Sequence, residues 1–193
     1  MISTDEILFT EFIKNFEHHV KKITLSRDFK RFLGMDVTID TDNNMIRLSH
    51  SVYILERWAE FKKLTDTPMS ASTNLRDAIP NSENGSMLSD TGAYRFIADR
   101  ARPDILVAVG EISTGGASSA SDLHLKSSER LKNYLNTTND LSLIFRGGEL
   151  KIFAYSDASY ITSGNCKSRL GGCVFMNYDS GAICKGFGIS VIY

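Results

Sequence analysis

The sequence predicts an α+β fold, and three observations predict it. Phe9, Phe12, Ile13, Phe16 and Val20 recur at helical intervals, whereas Met35, Val37 and Ile39 alternate strictly with polar residues. The last third reads as three strands, with a tight Asp179-Ser180-Gly181 turn between the final two. Helical and strand patterns that segregate along the chain suit an α+β arrangement better than a parallel sheet with alternating helices.

Taken in order, Ser3 and Glu6 have capping-box spacing, and a helix is expected from about Thr4 to Lys22 with one aromatic face. His18 and His19 lie near its end, where solvation or the helix dipole explains them more simply than catalysis does. From Phe32 to Leu48 the period is two, and Asp42-Asn43-Asn44 returns the chain as a hairpin. A second helix is expected over about Ser51 to Leu64, burying Ile54, Leu55, Trp58 and Phe61. A lone Trp at that spacing is core more often than a base-stacking platform. Thr65 to Ser89, with Pro68 and Pro80, reads as an extended connector. Helical patterns resume around Asp90, pause at Pro103 and run to Ile112. Gly115-Gly116-Ala117-Ser118-Ser119 is a flexible link without the preceding strand and glycine fingerprint of a phosphate loop. Ser121 and Asp122 open a further helix to about Asn136, with Leu125, Leu131, Tyr134 and Leu135 as core positions. The strands are Leu150 to Ala158, Gly171 to Asn177 and Ala182 to Val191.

A composition 42% hydrophobic and 23% charged excludes wholesale disorder. No apolar run approaches membrane-spanning length, and acidic residues stand where a signal peptide would be basic, so no membrane partner and an intracellular setting are expected. A formal net charge of -1 argues against a general electrostatic grip on nucleic acid while leaving room for a local basic strip. Cys166, Cys173 and Cys184 match no zinc spacing and read as small buried thiols.

Asp157 is the acidic residue that stands apart. It closes the apolar run Ile152 to Ala158 and shares a face with Phe153 and Tyr155. A carboxylate beside apolar neighbours loses hydration unless a hydrogen bond, an ion pair or a cation compensates. Hard divalent metals prefer oxygen ligands, which makes a metal reading natural; on local sequence alone, a strand-end Asp capping the following turn is the better fit.

A longer pattern bears on that choice. Phe32-Leu33-Gly34-Met35-Asp36-Val37, Ile46-Arg47-Leu48-Ser49, Tyr53-Ile54 and Thr67-Pro68-Met69 come first. Tyr94-Arg95, Arg102-Pro103-Asp104-Ile105, Ala108-Val109, Ile112-Ser113, His124-Leu125-Lys126, Arg130 and Tyr134-Leu135 continue the series. Tyr155-Ser156-Asp157-Ala158, Lys167-Ser168-Arg169, Gly171-Gly172 and Gly181-Ala182-Ile183 complete it. In this order the string resembles a copia-type retrotransposon polyprotein, from the C-terminal part of its reverse transcriptase into the start of its ribonuclease H.

The resemblance implies a polymerase thumb- or connection-like set of helices and a hairpin, followed by a three-stranded antiparallel meander of a truncated ribonuclease H-like fold. It divides the chain into the end of the reverse transcriptase region (1–64), an extended connector (65–89), a helical connection region (90–148) and an incomplete ribonuclease H-like domain (149–193). It also implies that Asp157 is a catalytic metal ligand, with Mg²⁺ as the ion and metal-assisted hydrolysis of RNA in an RNA–DNA hybrid as the reaction. The family's next carboxylate, a Glu on a following helix, lies past Tyr193. Its paired polymerase aspartates precede the matched region, and about two helical turns are missing between Tyr94-Arg95 and Arg102-Pro103-Asp104. These departures imply a truncated or internally deleted copy, inactive alone. The implied partners are hybrid or duplex nucleic acid and the rest of the polyprotein, in cytoplasm, virus-like particle or nucleus. Lys126, Arg130 and Lys132 are the candidate phosphate contacts, against the alternative of solvated helix charges. A non-catalytic nucleic-acid-binding module, or a transposon remnant without function, is the competing reading.

Overall fold

Alternation becomes strand where it was expected. In this computed structural model, which describes residues 6–20, 29–75, 77–115, 120–163 and 167–191, the hairpin is β2 (Met35–Asp40) with β3 (Met45–Ser49). Its register pairs Val37 with Leu48 and Ile39 with Ile46. Asp40 stabilises the turn, its Oδ1 accepting from the Asn43 N–H at 3.0 Å. A two-residue strand, β1 (Arg31–Phe32), precedes β2 through a turn in which Leu33 and Gly34 have φ of 48° and 78°. Gly34 is required there twice over: its φ is left-handed, and a Cβ would lie 2.8 Å from the Phe96 ring.

The helices are α1 (Glu6–His19), α2 (Ser51–Trp58), α3 (Leu88–Arg100), α4 (Leu106–Ile112) and α5 (Asp122–Thr137). The capping box proposed at Ser3 lies outside the described residues, as do 116–119 of the glycine-serine link. On α1 the apolar residues are present but exposed, Ile7, Leu8, Phe12 and Phe16 among them. The second helix is shorter than its pattern suggested. It buries Ile54 and Trp58, leaves Leu55 exposed, and Phe61 packs partly on the core from beyond its end. On α5 the buried stripe is His124, Ser127, Ser128, Leu131, Tyr134 and Leu135, and Leu125 faces outward. The stripe drifts this way because two serines bring α3 close: the Tyr94 hydroxyl lies 2.6 Å from Ser128 Oγ.

One core joins α2, α3, α4 and α5, and residues 65–89 contribute Leu75 and Met87 to it. Packing therefore crosses the boundaries at 64 and 89. A short strand missing from the expected order, β4 (Leu143–Arg146), leaves α5 and pairs with β3, Ile46 opposite Phe145, to give an antiparallel sheet ordered β1-β2-β3-β4.

The second sheet is β5 (Phe153–Ser163), β6 (Lys167–Phe175) and β7 (Cys184–Val191), an antiparallel meander in that order. Hydrogen bonds and an ion pair tie it to the rest. The Gly181 N–H donates to the Ile144 carbonyl at 2.6 Å, and Arg169 on β6 reaches Glu111 on α4 at 2.6 Å. The chain is thus α+β, with helices and two antiparallel sheets.

Candidate functional site

Asp157 lies in the middle of β5 rather than at its end, because Ala158 and Ser159 go on pairing with Leu170 and Arg169. The turn-capping alternative is thereby removed. Its cross-strand partner is Gly171, where an added Cβ would meet nothing within 4 Å, and the Asp157 side chain is exposed. The apolar neighbours share its face as alternation requires, but that face is open. Tyr155 is exposed too, so the carboxylate keeps its water and burial creates no demand for a cation.

Mg²⁺ is implied by the resemblance, and a two-metal site needs several oxygen ligands converging from different elements. The described residues contain no group of three or more His, Cys, Asp or Glu side chains able to hold a metal. They do not fit the ion. Cys173 is a free, half-buried thiol opposite Tyr155; Cys166 lies outside the described residues.

The three basic candidates on α5 separate. Residues two apart on a helix point about 200° from one another, and Lys132 accordingly faces away from Arg130. Its ammonium is 2.6 Å from Asp90 and sits over the Phe61 ring at 5.1 Å. Lys126 and Arg130, one turn apart, line a hollow of about 220 Å³ together with Lys63, Thr65, Glu129 and Asn133. Asp157 is not among its lining residues. Lys63 carried no signal in sequence, since it arrives from a loop far ahead of α5 in the chain.

Two buried polar clusters accompany these groups. Arg102, almost wholly buried, donates to Asp104 and to the Thr138 carbonyl and hydroxyl, and its guanidinium lies 5.4 Å from the Tyr134 ring. The Tyr134 hydroxyl donates to Asp104 at 2.9 Å. Burial pushes the Asp104 carboxyl up, but hydrogen bonds and charge from Arg102, with the Tyr134 hydroxyl, hold it below the ordinary value. Burial, then the Asp104 contact, raises the Tyr134 hydroxyl. At the start of α5, the Ser121 cap accepts from the His124 N–H, and its Oγ lies 2.6 Å from His124 Nδ1. Thr114 Oγ1 is 3.2 Å from the other ring nitrogen, and burial lowers the imidazole's pKa.

Glu111 is only 5% exposed and Arg169 31%, so their ion pair is a partly buried tether between helix and sheet. Arg169→Met should lower stability by about 2–3 kcal/mol, a buried-pair cost discounted for the exposed arginine. Adding Glu111→Leu should recover much of that loss, because an apolar pair replaces a buried charge. Thermal denaturation of both variants tests this, and a double variant no better than the single would refute the tether.

Comparison with known proteins gives two relatives. A protein of Saccharomyces cerevisiae assigned to transposon Ty5-1 is 32% identical over 143 residues, which is 67% of this chain and 44% of that protein. The chain therefore spans less than half the length of that relative. The secreted RxLR effector protein 161 of Plasmopara viticola is 35% identical over 101 residues, 48% of this chain and 70% of the effector. No family model matches the chain, and no solved structure does. The chain belongs to the family of the protein named secreted RxLR effector protein 161, and its similarity to the Ty5-1 protein supports a transposon-related origin.

Proposed function

We propose that the chain is a piece of a copia-type retrotransposon reverse transcriptase running into ribonuclease H, and that it has kept a weak grip on nucleic acid without catalysis of its own. The reading rests on the ordered motif string and is supported by similarity to a transposon protein. The observation that carries it furthest is the position of Asp157, an exposed carboxylate in mid-strand of an antiparallel meander that follows a helical core. An acidic group on an open sheet face can approach a phosphodiester only with cations between them, and the described residues do not assemble a cation site. Catalysis by these residues is therefore not part of the proposal.

A second reading, a non-catalytic nucleic-acid-binding module, is favoured by the basic hollow beside α5. The match to most of a protein named as an effector accords with such a module standing apart from a polymerase. Both readings predict binding to a short RNA–DNA hybrid that weakens with salt. With one basic hollow to receive a phosphate, the log–log slope should be shallow, about -0.9 for each phosphate neutralised. Fluorescence anisotropy of a labelled hybrid between low and moderate salt measures it. Affinity that does not change with salt, or no binding at the lowest salt, would reject the nucleic-acid reading.

A further inference from the structure

We propose that Lys63, Lys126 and Arg130 form a seat for one phosphodiester group of bound nucleic acid; the identity of that ligand rests on the nucleic-acid reading above. The hollow that they line is about 220 Å³, below the ~300 Å³ at which pockets for drug-sized ligands begin. It suits a small oxyanion. Three cations face one carboxylate, Glu129, and the remaining lining residues, Thr65 and Asn133, are polar and neutral.

Arg130 supplies the observation that points to a missing acceptor. Its Nη2 donates to Thr67 Oγ1 at 2.6 Å, and the Asp66 carboxylate is 3.7 Å away on a side chain almost fully exposed to water. Its Nε, by contrast, is buried and has no hydrogen-bond partner among the described residues. A buried donor on a charged group is costly to leave unsatisfied, and such an atom calls for an acceptor. The side chain is 37% exposed, so a phosphate oxygen in the hollow can engage its outer donors, whose fork matches phosphate geometry. Nε gains its acceptor when the guanidinium turns toward that ligand.

The seat is also held in place before any ligand arrives. Asn133 accepts from the Lys63 backbone N–H at 2.8 Å and donates to the Glu129 carbonyl at 2.9 Å. Thr65 Oγ1 donates to the Lys63 carbonyl, and Thr137 Oγ1 to the Thr65 carbonyl at 3.1 Å. The loop bearing Lys63 is thus fastened to α5 by its backbone, while the Lys63 and Lys126 side chains remain exposed. Binding there orders two lysine side chains and leaves the loop as it is, which limits the entropic cost.

The test uses the full chain, labelled with ¹⁵N and titrated separately with inorganic phosphate, polyglutamate and a short RNA–DNA hybrid. Phosphate and hybrid should each shift the Arg130 Nε–H resonance, with polyglutamate having a much smaller effect. Lys63→Gln and Lys126→Gln should each weaken hybrid binding several-fold at low salt and flatten its salt slope, whatever its sequence, and Lys151→Gln should do neither. Hybrid binding with an undiminished slope in both variants and a stationary Arg130 signal would overturn the seat and leave the nucleic-acid reading standing. An Arg130 shift with phosphate but no hybrid binding would remove nucleic acid as the ligand, overturning the phosphodiester assignment together with that reading. Equal shifts from polyglutamate and phosphate would make the site a receptor for acidic peptide, and would overturn it too.

Discussion

Arg102→Met is expected to cost about 2–4 kcal/mol, the penalty for removing one partner of a buried ion pair discounted because the Asp104 left behind is 34% exposed. The whole stability of a domain is only about 5–15 kcal/mol, so the variant should be largely unfolded at modest urea concentrations. The size of the effect follows from where Arg102 sits. Its side chain is 2% exposed, and it links the turn before α4 to the end of α5 through Asp104 and both oxygens of Thr138. Arg102→Lys should rescue little, because a point charge with three donors cannot reproduce the planar fork that spans these acceptors. The network also sets an acid limit. Since the Asp104 carboxyl is held below its ordinary value of 3.8 in the fold, its contribution is complete above the unfolded pKa. It is lost as pH falls through the folded one. Urea midpoints for wild type and Arg102→Met should therefore converge below about pH 4. A variant within 1 kcal/mol of wild type at neutral pH, on the scale of an ordinary surface change, would show that Arg102 does not hold these elements together.

The elements legible in sequence are those whose signals are local. Met35, Val37 and Ile39 gave the hairpin its period, and Ser121 marked the start of α5 at the residue that caps it. What escaped depends on residues far apart in the chain. β4 has only four residues and exists because β3, far earlier in the chain, offers an edge. Leu125 looks like core by spacing, yet the two serines that admit Tyr94 rotate the buried stripe away from it. Arg102-Pro103-Asp104 was visible as a motif, but nothing local says that the arginine is buried against Thr138. The candidate site follows the same rule. Alternation correctly places Asp157 with Phe153 and Tyr155, but whether a face is covered is a tertiary fact, and here it is open. Lys126 and Arg130 were readable as one helix face, whereas Lys63 and the anchoring Asn133 became visible only when a distant loop closed over α5.

Asp157→Asn is expected to change nothing measurable in the chain as it stands and everything in an extended one. On the proposed reading, hybrid cleavage needs carboxylates from more than one element, because a single carboxylate neither neutralises nor positions two divalent cations. Among the described residues Asp157 belongs to no such cluster. It is exposed and, opposite Gly171, its replacement disturbs no packing, so the substitution should leave the fold within about 0.5 kcal/mol of wild type, as surface changes generally do. On the same reading, fusing the ribonuclease H segment of an intact relative after Tyr193 should bring in the Glu-bearing helix and the remaining acidic residues. That longer chain should cleave the RNA strand of a labelled RNA–DNA hybrid when Mg²⁺ is added, and Asp157→Asn should reduce its cleavage to the level of the unextended protein. Four proteins, short and long, each with and without the substitution, complete the comparison on one gel. Cleavage by the short chain that vanishes in its Asp157 variant would mean that these 193 residues already hold a working centre. Cleavage by the long chain that survives the substitution would remove Asp157 from the chemistry altogether.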